Sequence, residues 1–181
     1  MEVQTFAIEG LKLIRPRLFC DRRGYFLESF RRNFFQSLGL PEFVQENHAF
    51  SKAGALRGMH FQKAPGQAKL VTVVSGEIFD VAVDMRPSSA SFGKWQGVYL
   101  NDRFCEQFFL PSGFAHGYLV VSPTAHVLYK VSHYYDPALE GAFAYADPEL
   151  KIKWPLNKNQ QLLISEKDLK NGSFQEALAL C

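Results

Sequence analysis

Lys69-Leu70-Val71-Thr72-Val73-Val74-Ser75-Gly76-Glu77-Ile78-Phe79-Asp80-Val81-Ala82-Val83-Asp84 is the stretch from which the fold can be read. Leu70 to Val74 is a β-branched, apolar run that ends at Ser75-Gly76, and Ile78 to Asp84 follows it directly. Glycine enters a tight turn without a Cβ penalty, so the pattern predicts two strands joined at that turn. Side chains alternate faces along a strand, which puts Phe79, Val81 and Val83 on a wholly apolar face. Ile78, Asp80, Ala82 and Asp84 share the other. A face that carries two carboxylates either meets solvent or lines a wet cavity inside a barrel, where the charges have partners.

Working outward, the chain continues in the same texture. Upstream come strand candidates at residues 43–47 and 55–62; downstream, at 95–100, 107–110, 117–121 and 126–135. Pro87-Ser88-Ser89, Asn101-Asp102, Pro111-Ser112-Gly113 and Ser122-Pro123 punctuate them. The first 28 residues read as short strands broken by Pro16 and by an Asp21-Arg22-Arg23-Gly24 turn. Helical spacing occurs at Ser29 to Leu40, where Phe30, Phe34 and Leu38 recur and Gly39 marks a stop, and in two short Ser-initiated segments from Ser165 and Ser173. Many short strands with few helices make the fold mainly β, a sandwich or small barrel.

The 181 residues suit one domain, 1–181, and 17 phenylalanines supply a substantial core. A net charge of +2, with Lys and Arg scattered, argues against a nucleic-acid-coating surface but allows a small basic pocket for a phosphate group. Cys20, Cys105 and Cys181 are odd in number and widely spaced, which fits free thiols in a reducing compartment. The N-terminus lacks the basic start and apolar run of a signal peptide, and no apolar stretch nears the roughly 18 residues of a membrane helix. The expected location is the cytoplasm, with no membrane partner.

Polar residues that interrupt strand logic are the candidate site. In Arg57-Gly58-Met59-His60-Phe61-Gln62, alternation puts His60 with Gly58 and Gln62, and Arg57 on the opposite face. His116 falls in a glycine-punctuated loop, Pro111 to Gly117. Two histidines, Lys69, Arg57 and Tyr129 on or beside strands of one small sandwich form a candidate catalytic set. A cupin metal cage wants two histidines close together, but His60-Phe61-Gln62 offers one, so no metal is expected. Phosphate-loop, dinucleotide and nucleophile-elbow motifs are absent from the sequence.

At this point blocks of sequence become recognisable. Asp21 to Glu28, Phe43 to Asn47, Leu56 to Gln62, Lys69-Leu70-Val71, Gly76 to Asp84 and Pro111 to Gly117 resemble, in order, the dTDP-4-dehydrorhamnose 3,5-epimerases. Tyr129-Lys130, Tyr134-Tyr135, Glu140-Gly141, Ile152 to Pro155 and Ser165 to Asp168 continue the resemblance across almost the whole chain. It implies a cupin-like jelly roll, a homodimer that exchanges N-terminal strands, a dTDP-sugar substrate and no cofactor. It also implies site roles: His60 as general base oriented by Asp168, Tyr129 as general acid, and Lys69 and His116 around the sugar ketone with Asp80 behind His116. Arg23, Phe26, Glu28, Gln45, Asn47, Arg57, Tyr135, Glu140 and Lys167 would contact the substrate. Two departures from the family pattern are Ala68 in Gln67-Ala68-Lys69, where glycine is usual, and Tyr145-Ala146-Asp147, where Trp-Asn-Asp is usual.

The chemistry suits these residue types. Both C3 and C5 hydrogens flank the C4 ketone, so removing either gives an enolate. That needs a base on one face, a donor on the other and a cation near the oxyanion. Alternatives stand beside these roles. Asp168 lies three residues after Ser165 and would complete a capping box. Tyr135 shares the strand face of Tyr129 if no bulge intervenes, and so competes for the acid role. Epimerisation at one carbon only, a metal-dependent cupin, and a non-catalytic nucleotide-sugar binding module are the rival functions.

Overall fold

In the computed structural model, residues 1–157 and 161–179 are described, and Cys181 lies outside them. Cys20 and Cys105 are free thiols. Strands β1 (Glu2–Thr5), β2 (Lys12–Arg15), β3 (Phe19–Asp21) and β4 (Gly24–Phe26) precede α1 (Arg32–Ser37). Then come β5 (Gln45–Lys52), β6 (Leu56–Gln62), β7 (Lys69–Ser75), β8 (Glu77–Asp84), β9 (Trp95–Asn101), β10 (Gln107–Leu110), β11 (Phe114–Val120), β12 (Thr124–Val131) and β13 (Glu140–Ala142). Helices α2 (Glu166–Leu169) and α3 (Phe174–Leu178) follow.

The strands form a six-stranded sheet, β1-β2-β10-β7-β12-β5, facing a five-stranded one, β13-β6-β11-β8-β9, while β3 and β4 make a separate hairpin. Every pairing between named strands is antiparallel. The expected mainly β sandwich is therefore the fold. Between the sheets Leu13, Val71, Val73, Ile78, Ala82, Phe108, Phe114 and Val127 form the inner core. The apolar face of β8, Phe79, Val81 and Val83, turns outward and is covered by Phe143, Leu150 and Phe174 of the C-terminal segment. Helix α1 covers the outer face of the other sheet, with Phe35 and Leu40 packed on Ile14, Leu70 and Phe109.

Several boundaries differ from the sequence reading, each for a local reason. Helix α1 is shorter than Ser29 to Leu40; it starts after Arg31, which caps nothing with its side chain. Strand β11 begins at Phe114, so His116 is a strand residue and not a loop residue. Strand β12 ends at Val131, because Ser132 turns its Oγ to accept the Ala68 N–H at 2.9 Å, and Tyr135 is therefore off the strand. Asp80 and Asp84 are fully buried, which removes the solvent reading for that face of β8. Asp84 is tied to Arg86, Ser89 and Ser91, and those hydrogen bonds overcome burial and hold its carboxyl down at about 2.

Candidate active site

Two cavities between the sheets, of about 690 and 320 Å³, meet at His60, Lys69 and Tyr129, which line both. The three come from β6, β7 and β12, so two facing sheets supply one site.

His60 sits opposite His116 in the β6–β11 register, but Arg57 sits opposite Tyr118, so three steps on β6 match two on β11. This bulge inserts one residue and turns Arg57 onto the cavity side, correcting the alternation that placed it opposite His60. Two glycines permit the bulge. Gly58 has φ +114°, and a Cβ there would meet the Gly117 Cα at 2.6 Å and the His116 carbonyl oxygen at 2.7 Å. Met59 and Phe61 stay on the far side, in the outer core.

Nε2 of His60 lies 2.6 Å from Oδ1 of Asp168, which is buried at 4% exposure. Ser165 caps α2 by accepting the Asp168 N–H at 3.0 Å, while the Asp168 carboxylate reaches His60 and not back to Ser165. Half of the capping-box reading thus holds: the cap places the carboxylate. The reciprocal box occurs instead at Ser173 and Glu176. With Nε2–H donated to Asp168, the neutral ring carries its lone pair on Nδ1. In the same way, Nε2 of His116 lies 2.8 Å from Oδ2 of Asp80.

The Lys69 ammonium has no hydrogen-bond or ion-pair partner among the described residues. Burial pulls its ammonium pKa down to about 8, against the opposing pull of Asp80 and Glu140. Ala68 before it joins the outer core, its N–H and carbonyl both clamped to Ser132, so its methyl fits where the family pattern has glycine. Tyr129 stands beside Asn47 and Val71 in register. Burial raises its pKa, more than nearby Arg57 and Asn47 lower it, so the phenol holds its proton.

At the rim, Tyr135 donates its hydroxyl to Glu140 at 2.8 Å, and Lys167 donates to the same carboxylate oxygen. Burial disfavours the Glu140 charge, but these two bonds outweigh it and lower its pKa. Gln45 donates to Asn47 at 2.9 Å and accepts the Tyr135 backbone N–H at 3.1 Å. Gln62, where a cupin cage would want a histidine, exchanges hydrogen bonds with the backbone of Asp136. Among the described residues no three His, Cys, Asp or Glu side chains converge as a metal site.

The structure does not bring all the expected residues together. Arg23 pairs with Asp21 and Glu28 with Arg31 on the exposed hairpin and the turn after it, and Phe26 is 70% exposed. None of the three lines either cavity. Conversely, Ser51, Tyr118 and the Leu162 to Ser165 strap line the larger cavity and escaped the sequence reading. Period-two alternation from Asn47 would have found Ser51; the strap is placed only by its pairing with Gly54, Ala55 and Leu56.

Comparison with known proteins matches residues 5–176 to the family described as dTDP-4-dehydrorhamnose 3,5-epimerase. The enzyme of that name from Methanothermobacter thermautotrophicus is 46% identical over 163 residues, covering 90% of this chain and 88% of its own. A Legionella pneumophila dTDP-6-deoxy-D-glucose-3,5-epimerase, solved with dTDP-4-keto-L-rhamnose, superposes with a TM-score of 0.90 at 43% identity, covering 95% of this chain and 92% of its own. A 3′-monoepimerase from Streptomyces bikiniensis, solved with dTDP-quinovose, gives 0.87 at 35% identity, covering 97% and 90%. A jelly-roll fold, an internal His–Asp pair and a match of this length together establish that the chain belongs to the dTDP-4-dehydrorhamnose 3,5-epimerase family.

Proposed function

We propose that this chain, as one cupin-like domain, epimerises dTDP-4-dehydro-6-deoxy-D-glucose at C3 and C5 to dTDP-4-dehydro-L-rhamnose, by proton transfer through enolates. The observation that carries this reading is the His60–Asp168 pair meeting Tyr129 and Lys69 where the two cavities join. In the mechanism, His60 removes the acidic hydrogen next to the C4 ketone through Nδ1, and Asp168 fixes its tautomer and faces the imidazolium with a negative charge. Lys69, desolvated and without a competing partner, stabilises the enolate oxygen, with His116 held beside it by Asp80. Tyr129 returns a proton from the opposite sheet, which inverts the centre. Each proton transfer contributes about 10²–10⁴-fold.

Arg57, Gln45, Asn47, Glu140, Lys167 and Tyr135 surround the substrate from this chain. Arg23, Phe26 and Glu28 reach a cavity in a homodimer, where the hairpin of a second copy stands at the rim; exposed Phe19, Tyr25 and Phe26 suit burial against that copy. The proposed setting is the cytoplasm. No helix among the described residues is long and apolar enough to cross a membrane.

Proton NMR of the substrate in deuterated water tests the reading. Both ring positions must exchange. Exchange at one position only would assign the chain to single epimerisation, as in the Streptomyces relative's name. A His60→Ala variant that still turned over at the wild-type rate would overturn the mechanism.

A further inference from the structure

Buried polar atoms are nearly always hydrogen-bonded. Among the described residues three buried side-chain atoms have no partner: Asp80 Oδ1, Gln107 Oε1 and the Tyr118 hydroxyl. Asp80 and Gln107 are each anchored by their other side-chain atom, to His116 and to Ser29 and Thr72. The Tyr118 hydroxyl has only itself.

Tyr118 is 4% exposed, packed in the inner core next to His116, with ring centroids 6.2 Å apart. It lines the larger cavity together with Ser51, Arg57 and Tyr129. Ser51 is placed to donate its hydroxyl hydrogen toward the phenol oxygen, outside hydrogen-bonding geometry, and Arg57, Tyr129 and Asp80 act on it through charge, so the phenolic O–H itself has no acceptor. Ser51 Oγ is already engaged, accepting Arg57 Nε at 3.0 Å, and the second Arg57 contact, to the Phe50 carbonyl, is stretched to 3.4 Å. Burial raises the Tyr118 pKa, which keeps the phenol protonated and therefore a donor.

A phenylalanine would fill this space with no stranded oxygen. The tyrosine instead leaves a hydroxyl desolvated and unmatched in the ligand-free chain, on a strand whose backbone is paired on both sides. Local rules of this kind are broken where a ligand completes the set. Resting on the function proposed above, we infer that Tyr118 is a substrate-binding residue whose hydroxyl donates to an oxygen of the bound sugar nucleotide, beside the group that Arg57 holds.

The test is Tyr118→Phe, read by thermal unfolding of the free protein, calorimetric binding of dTDP and dTDP-glucose, and kcat/KM. Removing an unmatched hydroxyl raises the Tm of the ligand-free chain. It weakens dTDP-glucose binding and lowers kcat/KM, each by about tenfold, one ordinary hydrogen bond. A residue that only packs would move the Tm without moving affinity. Weakened binding of dTDP as well places the acceptor on the diphosphate; weakened binding of dTDP-glucose alone places it on the hexose. Affinity and kcat/KM within about twofold of wild type, or a lowered Tm in the free chain, overturns the inference. Wild-type chain that binds dTDP-glucose but turns over no keto-sugar would instead overturn the proposed function, and the binding arm would still decide Tyr118.

Discussion

Replacing Asp168 by asparagine isolates the contribution of one charge. The side chain keeps its volume, and Ser165 still caps α2 through the residue-168 N–H, which the substitution leaves untouched. What changes is the 2.6 Å contact to His60 Nε2, made by a carboxylate that is 4% exposed. An amide either accepts more weakly with its oxygen or offers its NH₂, which forces the proton of the ring onto Nδ1 and removes the base. A hydrogen bond to a charged group contributes about 1.5–3 kcal/mol, so turnover falls by about 10- to 150-fold. The wrong tautomer would enlarge that loss. The assay is deuterium wash-in at C3 and C5 under saturating substrate, with calorimetric dTDP binding as the control. Binding stays within about twofold, because Asp168 touches the base and not the nucleotide. Asp168→Asn exchanging within about threefold of the wild-type rate would refute the assignment of His60 as an oriented base.

Other perturbations follow from the same geometry. Lys69 loses its proton as pH rises through about 8, so kcat/KM falls there, and Lys69→Arg, always protonated, pushes that limb to higher pH in the rate profile. Because the folded pKa lies below the unfolded one, the half-buried ammonium destabilises the fold below pH 8 and no longer does so above about 10.4; Lys69→Met therefore gains stability in urea at pH 7 and loses turnover by about 10²–10³. Asp84 runs the other way: its pKa of about 2 lies below the unfolded value, so it contributes about 2 kcal/mol above pH 4 that vanishes as pH falls through 2. Asp84→Asn should be less stable at pH 7, with a flatter acid-denaturation curve. Gly58→Ala places a methyl 2.6 Å from the Gly117 backbone at a left-handed φ and should cost at least about 1–3 kcal/mol, seen as a lowered Tm, with activity lost as His60 and Arg57 shift.

What the residues disclosed, and what they hid, divides by the range of the interaction. The strands β7 and β8, the turn at Ser75-Gly76 between them, the inward aspartates and the caps at Ser165 and Ser173 are set by neighbours in sequence, and alternation or capping chemistry reveals them; that β7 and β8 join different sheets is set by their distant partners. Alternation puts Arg57 on the wrong face because a bulge depends on the partner strand: only the approach of Gly117 to Gly58 shows it. His116 looked like a loop residue because Gly113 and Gly117 flank it, yet Gly117 is there to let two backbones touch. The Asp168–His60 contact, spanning 108 positions, came from resemblance and not from any pattern in the chain. Tyr118 looked like one more aromatic in a strand; nothing local marks a hydroxyl that finds no partner.

The Ser165 cap has a consequence for how activity is gained. The imidazole belongs to a central strand that other strands hold from both sides, whereas its carboxylate rides on a four-residue helix near the far end of the chain. The imidazole, the ammonium and the phenol are all encoded before residue 130 and the last strand by Ala142, so a ribosome emits every strand of the sandwich before the carboxylate that orients the base. The oriented base is complete only late, when Ser165 seats the turn that carries Asp168.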